Sequence, residues 1–413
     1  MQDDRYHDLD GEITASAEGL ADFLANSIRI PSVTGTERAV ADWYAAWMQQ
    51  RGWETEHQLL SESPLAQTED IVADRANVIG YPFGRPATGD RVVVVNGHLD
   101  VVPVGDETAW THAPFAGTRI GDRVHGRGTV DTKGGIAAAL HALDALRRIG
   151  TPLSVVPVVH LVIGEETTGV GTRLALTTAP APAAAIVLEP TGGGLVTACS
   201  GLQFFAVEAF GRAAHSSAPW RGVDALARLL RLRDAMVATA NARSAAFQHP
   251  RFADVPTGIP FNIGTFTAGS YRAAVPDAAV MTGRIGLLPG EDPAAARRVF
   301  AAALAAAVRD DPYEREYPHE LIWSGEPYPG WETGDEDPLV AAFVAAIDTV
   351  DGDAALHGFT AGNDAGQYAA AGASTVVFGP GDAALAHTTE ESVSEADLLR
   401  ATRILGRAIA GLS

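Results

Sequence analysis

Histidines and acids recur along this chain in one kind of setting, each after an apolar run or inside a glycine-rich turn. Asn96-Gly97-His98-Leu99-Asp100 comes first, then Gly126-Arg127-Gly128-Thr129-Val130-Asp131-Thr132-Lys133-Gly134-Gly135. Gly164-Glu165-Glu166, Leu188-Glu189-Pro190 and Ala386-His387-Thr388 complete the series. Two imidazoles, a central aspartate and several glutamates are the donor types that a pair of Zn²⁺ ions takes, and Co²⁺ or Mn²⁺ can substitute. An aspartate in a tight turn, as Asp131 is, can offer one oxygen to each of two cations. His98 and Asp100 stand two apart, so the carboxylate is expected to accept the second ring N–H of a metal-bound imidazole. Glu165 and Glu166 are neighbours whose side chains diverge, which lets one ligate while the other handles protons. The glycines around Asp131 are not read as a phosphate cradle, because no Gly-Lys-Ser/Thr ending follows them.

Groups so far apart in sequence converge only if the elements bearing them end at one place. Val92-Val93-Val94-Val95 predicts a fully buried strand ending at His98. Leu153 to Ile163 predicts a second, ending at Gly164-Glu165-Glu166, and Ala183 to Leu188 a third, ending at Glu189. Gly134 to Ile149 is alanine-rich and helical. Strand, motif, helix, strand, motif is the order of a largely parallel sheet whose carboxyl edge holds the site. Ahead of it, Gly11 to Gly52 reads as two helices separated by Pro31.

Near Ala198 the order changes to βαββαβ. Strands are expected over Leu202–Phe210, Ile259–Thr267, Ala273–Leu287 and His319–Ser324, with helices over Val223–Ala240 and Pro293–Val308. That string predicts a small four-stranded sheet with helices on one face, inserted into the first domain. The expected division is 1–198 and 326–413 for the catalytic domain, with 199–325 inserted. The Leu226-Leu229-Leu230-Leu232 stripe is expected to form a surface that pairs with a second copy.

Composition limits the partners. The 413 residues carry a formal net charge of −21, which argues against nucleic acid or an anionic membrane surface. Hydrophobic content of 46% and charged content of 20% are those of a globular protein. No run approaches the roughly 20 apolar residues of a membrane span. One cysteine, Cys199, excludes an internal disulfide and fits a reducing, cytoplasmic setting. Among the 30 Lys and Arg, only Lys133 is lysine.

The order and wording of these motifs resemble the co-catalytic zinc deacylases and peptidases of the acetylornithine deacetylase, succinyl-diaminopimelate desuccinylase, aminoacylase and carboxypeptidase G kind. The resemblance spans nearly the whole chain and extends to His98-Leu99-Asp100-Val101-Val102-Pro103 with Trp110, Pro114 and Phe115. It implies an α/β catalytic domain with an inserted ferredoxin-like lid and dimerisation domain. It also implies two zinc ions, one held by His98, Asp131 and Glu189, the other by Asp131, Glu166 and His387. Asp131 would bridge them and be followed by a cis peptide bond. Glu165 would be the catalytic base, with Asp100 beside it.

In the inserted domain, Gly211-Arg212-Ala213-Ala214-His215-Ser216-Ser217-Ala218-Pro219 resembles the family's signature there. The resemblance implies that His215 donates to the developing oxyanion, commonly across a dimer interface. Asn262 and Arg284 would bind a substrate carboxylate. The implied activity is removal of an acyl group from an N-acyl amino acid, by a cytoplasmic homodimer. A metallo-dipeptidase or carboxypeptidase is the alternative within the class. A silent metal- or small-molecule-binding relative is the alternative outside it, and the intact Glu165 argues against that.

Overall fold

The computed structural model describes residues 6–178 and 181–412. These form two compact units. The first comprises the chain up to Thr197, Thr333–His357 and the chain from Asn363; the second comprises Ala198–Glu332 and Gly358–Gly362.

The first unit is built on a mixed sheet. Six neighbouring strands of it run in the order Glu54–Leu59, Ala76–Tyr81, Val156–Val162, Val92–His98, Ala184–Val187 and Ser374–Val377. The last four are mutually parallel; Ala76–Tyr81 runs antiparallel to both of its neighbours, Val156–Val162 and Glu54–Leu59. All seven residues of Val92–His98 are buried, which is why that strand reads as an unbroken apolar run instead of an alternating one. The four parallel strands deliver His98, Gly164-Glu165-Glu166, Glu189 and the Phe378-to-His387 segment to one edge.

The helix Lys133–Arg148 lies against Val92–His98, Ala17–Ile28 and Glu395–Gly411 and is buried along nearly its whole length. Its two leading glycines have a steric cause. A Cβ on Gly134 would stand 2.3 Å from the Thr129 carbonyl oxygen, and one on Gly135 2.9 Å from Leu188. The helix start therefore closes directly onto the turn bearing Asp131 and the strand end bearing Glu189.

The two expected N-terminal helices are Ala17–Ile28 and Arg38–Gln50, and a third, His7–Ala15, precedes them. His7–Ala15 buries only Leu9 and Ile13, beside Gly406 of the C-terminal helix. Two apolar residues in an acidic stretch are too faint a period to mark a helix. A three-stranded sheet of Thr118–Ile120, Arg123–His125 and Ser392–Ser394 brings the C-terminal part of the chain beside the Gly126–Gly135 turn.

The second unit is a four-stranded antiparallel sheet in the order Asn262–Ala268, Ala278–Leu287, Gly201–Phe210, Glu320–Tyr328. The helices Ala225–Ala246 and Pro293–Ala307 share its core, where Phe205, Val207, Met281 and Ile285 meet Leu229, Leu232, Met236, Phe300 and Leu304. Strand positions alternate accordingly, Phe205, Val207 and Ala209 being buried while Phe204 is exposed.

The leucine stripe does not form the expected pairing surface. Leu229 and Leu232 are fully buried against their own sheet, and only Leu230 is exposed. A helical stripe looks the same in sequence whether it faces its own domain or another molecule. Among the described residues, no helix is long and apolar enough to cross a membrane.

Leu232→Ala is therefore expected to destabilise the protein by about 2–5 kcal/mol, and Leu230→Ala by no more than about 0.5 kcal/mol. Chemical denaturation of both variants checks this; equal, small effects would mean the stripe faces outward.

Candidate metal centre

Asp100 is the knot of the site. It is fully buried. Its Oδ1 accepts the Glu165 backbone N–H at 3.1 Å, and its Oδ2 accepts the Glu166 N–H at 3.3 Å and the Thr34 hydroxyl at 2.9 Å. The expected bond from the His98 ring to this carboxylate is not made. His98 Nδ1 lies 2.8 Å from the Asp100 carbonyl oxygen, while carboxylate Oδ1 is 3.8 Å away. The carboxylate is drawn off by two backbone N–H groups of the Gly164–Gly169 turn, so the main chain takes over the orientation of the imidazole.

That turn carries both glutamates. Gly169 N–H closes onto the Gly164 carbonyl at 2.8 Å, and both glycines are left-handed, with φ of +67° and +64°, a conformation glycine adopts without strain. Gln367 Nε2 clasps the far end by donating to the Gly169 carbonyl at 3.1 Å and to Asp364 Oδ1 at 2.9 Å.

Asp131 stands between two imidazoles. Its Oδ1 is 2.8 Å from His98 Nε2 and its Oδ2 is 3.1 Å from His387 Nε2. His387 Nε2 is also 3.3 Å from Glu166 Oε2, and His98 Nε2 is 3.9 Å from Glu189 Oε1. Among the described residues, two groups have ligand atoms close enough to share an ion: His98, Glu165 and Glu189, and His98, Asp131 and Glu166. The Asp131–Thr132 peptide bond is cis. His387 has a left-handed backbone, and its side chain is half exposed at 51%, whereas His98 is buried.

The electrostatics show a strongly charged cluster. Burial, reinforced by the charge of Glu189, pushes Glu165 well above the usual carboxylate range. Burial and the charge of Asp131 do the same to Glu189. Hydrogen bonds to Asp131 and Glu166 push His387 up to about 10. At His98 burial alone would favour the neutral ring, but the Asp131 hydrogen bond and the surrounding carboxylates outweigh it and raise the ring well above its usual range. Imidazoles that hold protons among crowded carboxylates mark a place where positive charge is wanted. Divalent cations meet that demand, and the donor set of imidazole nitrogen and carboxylate oxygen suits them.

Several residues that matter here had no role in the sequence reading. Glu391 is buried, accepts the Val130 N–H at 3.1 Å and the Asp131 N–H at 3.5 Å, and pairs with Arg127 Nη1 at 2.6 Å. It thus fixes the backbone of the Asp131 turn from 260 residues away. Its place after His387-Thr388-Thr389-Glu390 was the available signal. Asn96 donates to Thr172 Oγ1 and Tyr368 Oη, both at 3.2 Å, and Thr172 donates to Asp364 at 2.7 Å. Tyr368 in turn contacts His160 Nδ1 at 2.9 Å, and burial pushes His160 down to about 3. Lys133 is buried, its ammonium donating to the carbonyls of Ser27 at 3.1 Å and Ile30 at 3.2 Å.

The remaining candidates belong to the second unit. Asn262 and Arg284 are cross-strand partners in register. Arg284 Nη2 donates to the Thr360 carbonyl at 3.1 Å, while its Nε is buried without a hydrogen bond. His215 is exposed and accepts the Ser217 N–H at Nδ1, 3.1 Å away. That acceptance leaves the ring proton on Nε2 in the neutral tautomer.

Residues 94–411 match the family described as Peptidase family M20/M25/M40. A probable carboxypeptidase of Aspergillus terreus is 30% identical over 400 residues, covering 91% of this chain and 82% of its own length. An acetylornithine deacetylase of Myxococcus xanthus is also 30% identical, covering 83% and 85% of the two chains. The fold is shared with a dinuclear metal-binding peptidase of Bacillus subtilis, with a TM-score of 0.68 at 14% identity over 96% of this chain and 98% of the other. The chain belongs to the M20/M25/M40 peptidase family and is a hydrolase acting on amide bonds.

Zn²⁺ at a hundredfold excess over its dissociation constant is expected to stabilise the metal-free protein by about 2.7 kcal/mol. Glu189→Gln and His387→Ala should each reduce that gain. Thermal unfolding with and without added zinc reads it, and no shift for the parent protein would remove the metal interpretation.

Proposed function

We propose that this chain is a two-zinc amidohydrolase that removes the acyl group of an N-acyl amino acid. The observation that carries the reading is Asp131, whose two oxygens face different imidazoles, His98 at 2.8 Å and His387 at 3.1 Å. In this reading His98, Asp131 and Glu189 hold one ion, and Asp131, Glu166 and His387 the other. The dinuclear character of the B. subtilis peptidase supports two ions. Bound there, divalent cations would polarise the amide carbonyl and acidify water.

Glu165 is the base. It is buried, and its backbone is fixed by Asp100. It takes a proton from water as the water oxygen attacks the carbonyl carbon. When the C–N bond breaks, the same carboxyl returns the proton to the leaving nitrogen, giving a carboxylate and a free amino acid. Asp100 acts by orienting Glu165 and Glu166 through their N–H groups. His215, protonated at Nε2, suits the negative oxygen of the tetrahedral intermediate. Arg284, beside Asn262, suits the carboxylate of the amino acid.

A metallo-carboxypeptidase is the second reading, favoured by the identity with the A. terreus protein across 91% of this chain. The chemistry is unchanged, and only the group on the acyl side differs. The proposal includes a homodimer formed through the second unit and, from the single Cys199, a cytoplasmic setting.

Turnover on parallel panels of N-acetyl amino acids and dipeptides separates the two readings. Glu165→Gln is expected to lower kcat by about 10²–10⁴-fold with metal content retained, whereas Glu166→Ala should lose metal as well. Equal metal loss in both variants would reverse the assignment. If His215 serves a neighbouring subunit, mixing His215→Ala with Glu165→Ala protein should restore activity, because one site of each mixed dimer then has both intact residues. No recovery after verified subunit exchange would place His215 in its own chain's chemistry or outside it.

A further inference from the structure

We infer that a pocket beside Glu166 in the first unit is the subsite for an uncharged, apolar group of the substrate and that it excludes a carboxylate. The inference rests on the amide-hydrolase reading and adds to it the class of group accepted. The pocket holds about 430 Å³, within the size range of small-molecule sites. Val33, Val102 and Pro103 line it from segments that lead into or out of the Asp100 region, and Ile71 lines it from the Thr68–Arg75 segment. The turn at Val33 bridges to Val101, next to Val102, so this wall is tied to the Asp100 segment.

Ile71 is built to form a lip. Its side chain is 54% exposed, an unusual place for isoleucine. It leans on Gly35, where any Cβ would meet Ile71 Cδ1 at 3.0 Å and where φ is +98°. Glycine at position 35 therefore keeps room for this side chain at the pocket.

The polar groups of the pocket decide which charge it takes. Arg75 is its cation, and that charge is already used. Its Nε and Nη2 donate to the two oxygens of buried Glu37 at 3.1 and 2.6 Å, and Nη1 donates to the Ile71 carbonyl at 3.2 Å. Glu69 Oε2 stands 3.5 Å from Arg75, while Glu69 Oε1, buried without a hydrogen bond, is paired with Arg173 Nη2 at 3.8 Å. Asp70 adds a further negative charge to the lining. A carboxylate entering here would lose its hydration, find Arg75 committed to Glu37 and Arg173 to Glu69, and face Asp70 with no free cation of the lining to meet it. An alkyl or aryl group would lose only apolar contact with water.

The test uses zinc-loaded protein and two substrate series. One varies the acyl group on glycine through formyl, acetyl, isovaleryl, benzoyl and succinyl; the other varies the amino acid of N-acetyl substrates through glycine, leucine, phenylalanine and glutamate. One series should rise in kcat/KM with apolar size and place its carboxylate-bearing member lowest. Ile71→Asp and Ile71→Trp, both on an exposed lip, should then lower kcat/KM for the largest apolar member by roughly tenfold and leave the formyl or glycine member unchanged. Wild-type hydrolysis with neither series altered by either variant, or with the carboxylate-bearing member preferred in both, would overturn the inference. Zinc-loaded wild-type protein that hydrolyses no member would instead overturn the hydrolase reading, and this inference with it.

Discussion

Everything at the sheet edge depends on gathering carboxylates where water is scarce. Asp100, Asp131, the Glu165–Glu166 pair and Glu189 come from four separate segments, and crowding them raises Glu165 and Glu189 through burial and mutual charge. Such an arrangement survives only if backbone N–H groups and buried cations hold the acids from behind. Asp100 is held by two N–H groups and a hydroxyl, and Glu391 by the Asp131 turn and Arg127. Asp131, Glu165 and Glu166 have their backbones fixed by these two acids.

The parallel sheet explains why so few long-range features are needed. Each buried strand ends on the same side, so a histidine or acid placed at the end or within four residues past it is delivered to a common edge. The helix Lys133–Arg148 closes on that edge only because positions 134 and 135 lack a Cβ. A local steric permission in one turn thereby fixes the spacing between Asp131 and Glu189.

Much of this could be read from the chain. Val92–Val95 and the apolar run before Gly164 end in titratable residues, and strand ends in an α/β sheet converge by rule, so His98, Asp131, Glu165, Glu166, Glu189 and His387 were legible as a group. The βαββαβ string gave the second unit for the same reason of period and order. What stayed hidden was whatever depends on which atom of a residue is engaged. The Asp100 carboxylate and the Asp100 carbonyl are equally near His98 in sequence, and only the folded Gly164–Gly169 turn decides between them. Glu391 acts on backbone N–H groups 260 residues upstream, a contact that leaves no spacing pattern. Leu229 and Leu232 share the helical face of any amphipathic segment, and the sheet they cover comes from strands before and after them in the chain.

Lys133 is shielded from solvent chemistry. It is the chain's single lysine, and its ammonium is sealed under the carbonyls of Ser27 and Ile30. The folded surface consequently offers no lysine amine to electrophiles. Activated esters, sugar aldehydes and reactive thioesters would find arginine guanidinium groups instead, which are far poorer nucleophiles because they stay protonated. Modification of Lys133 by an amine-directed reagent would therefore report unfolding of this protein and not its native surface.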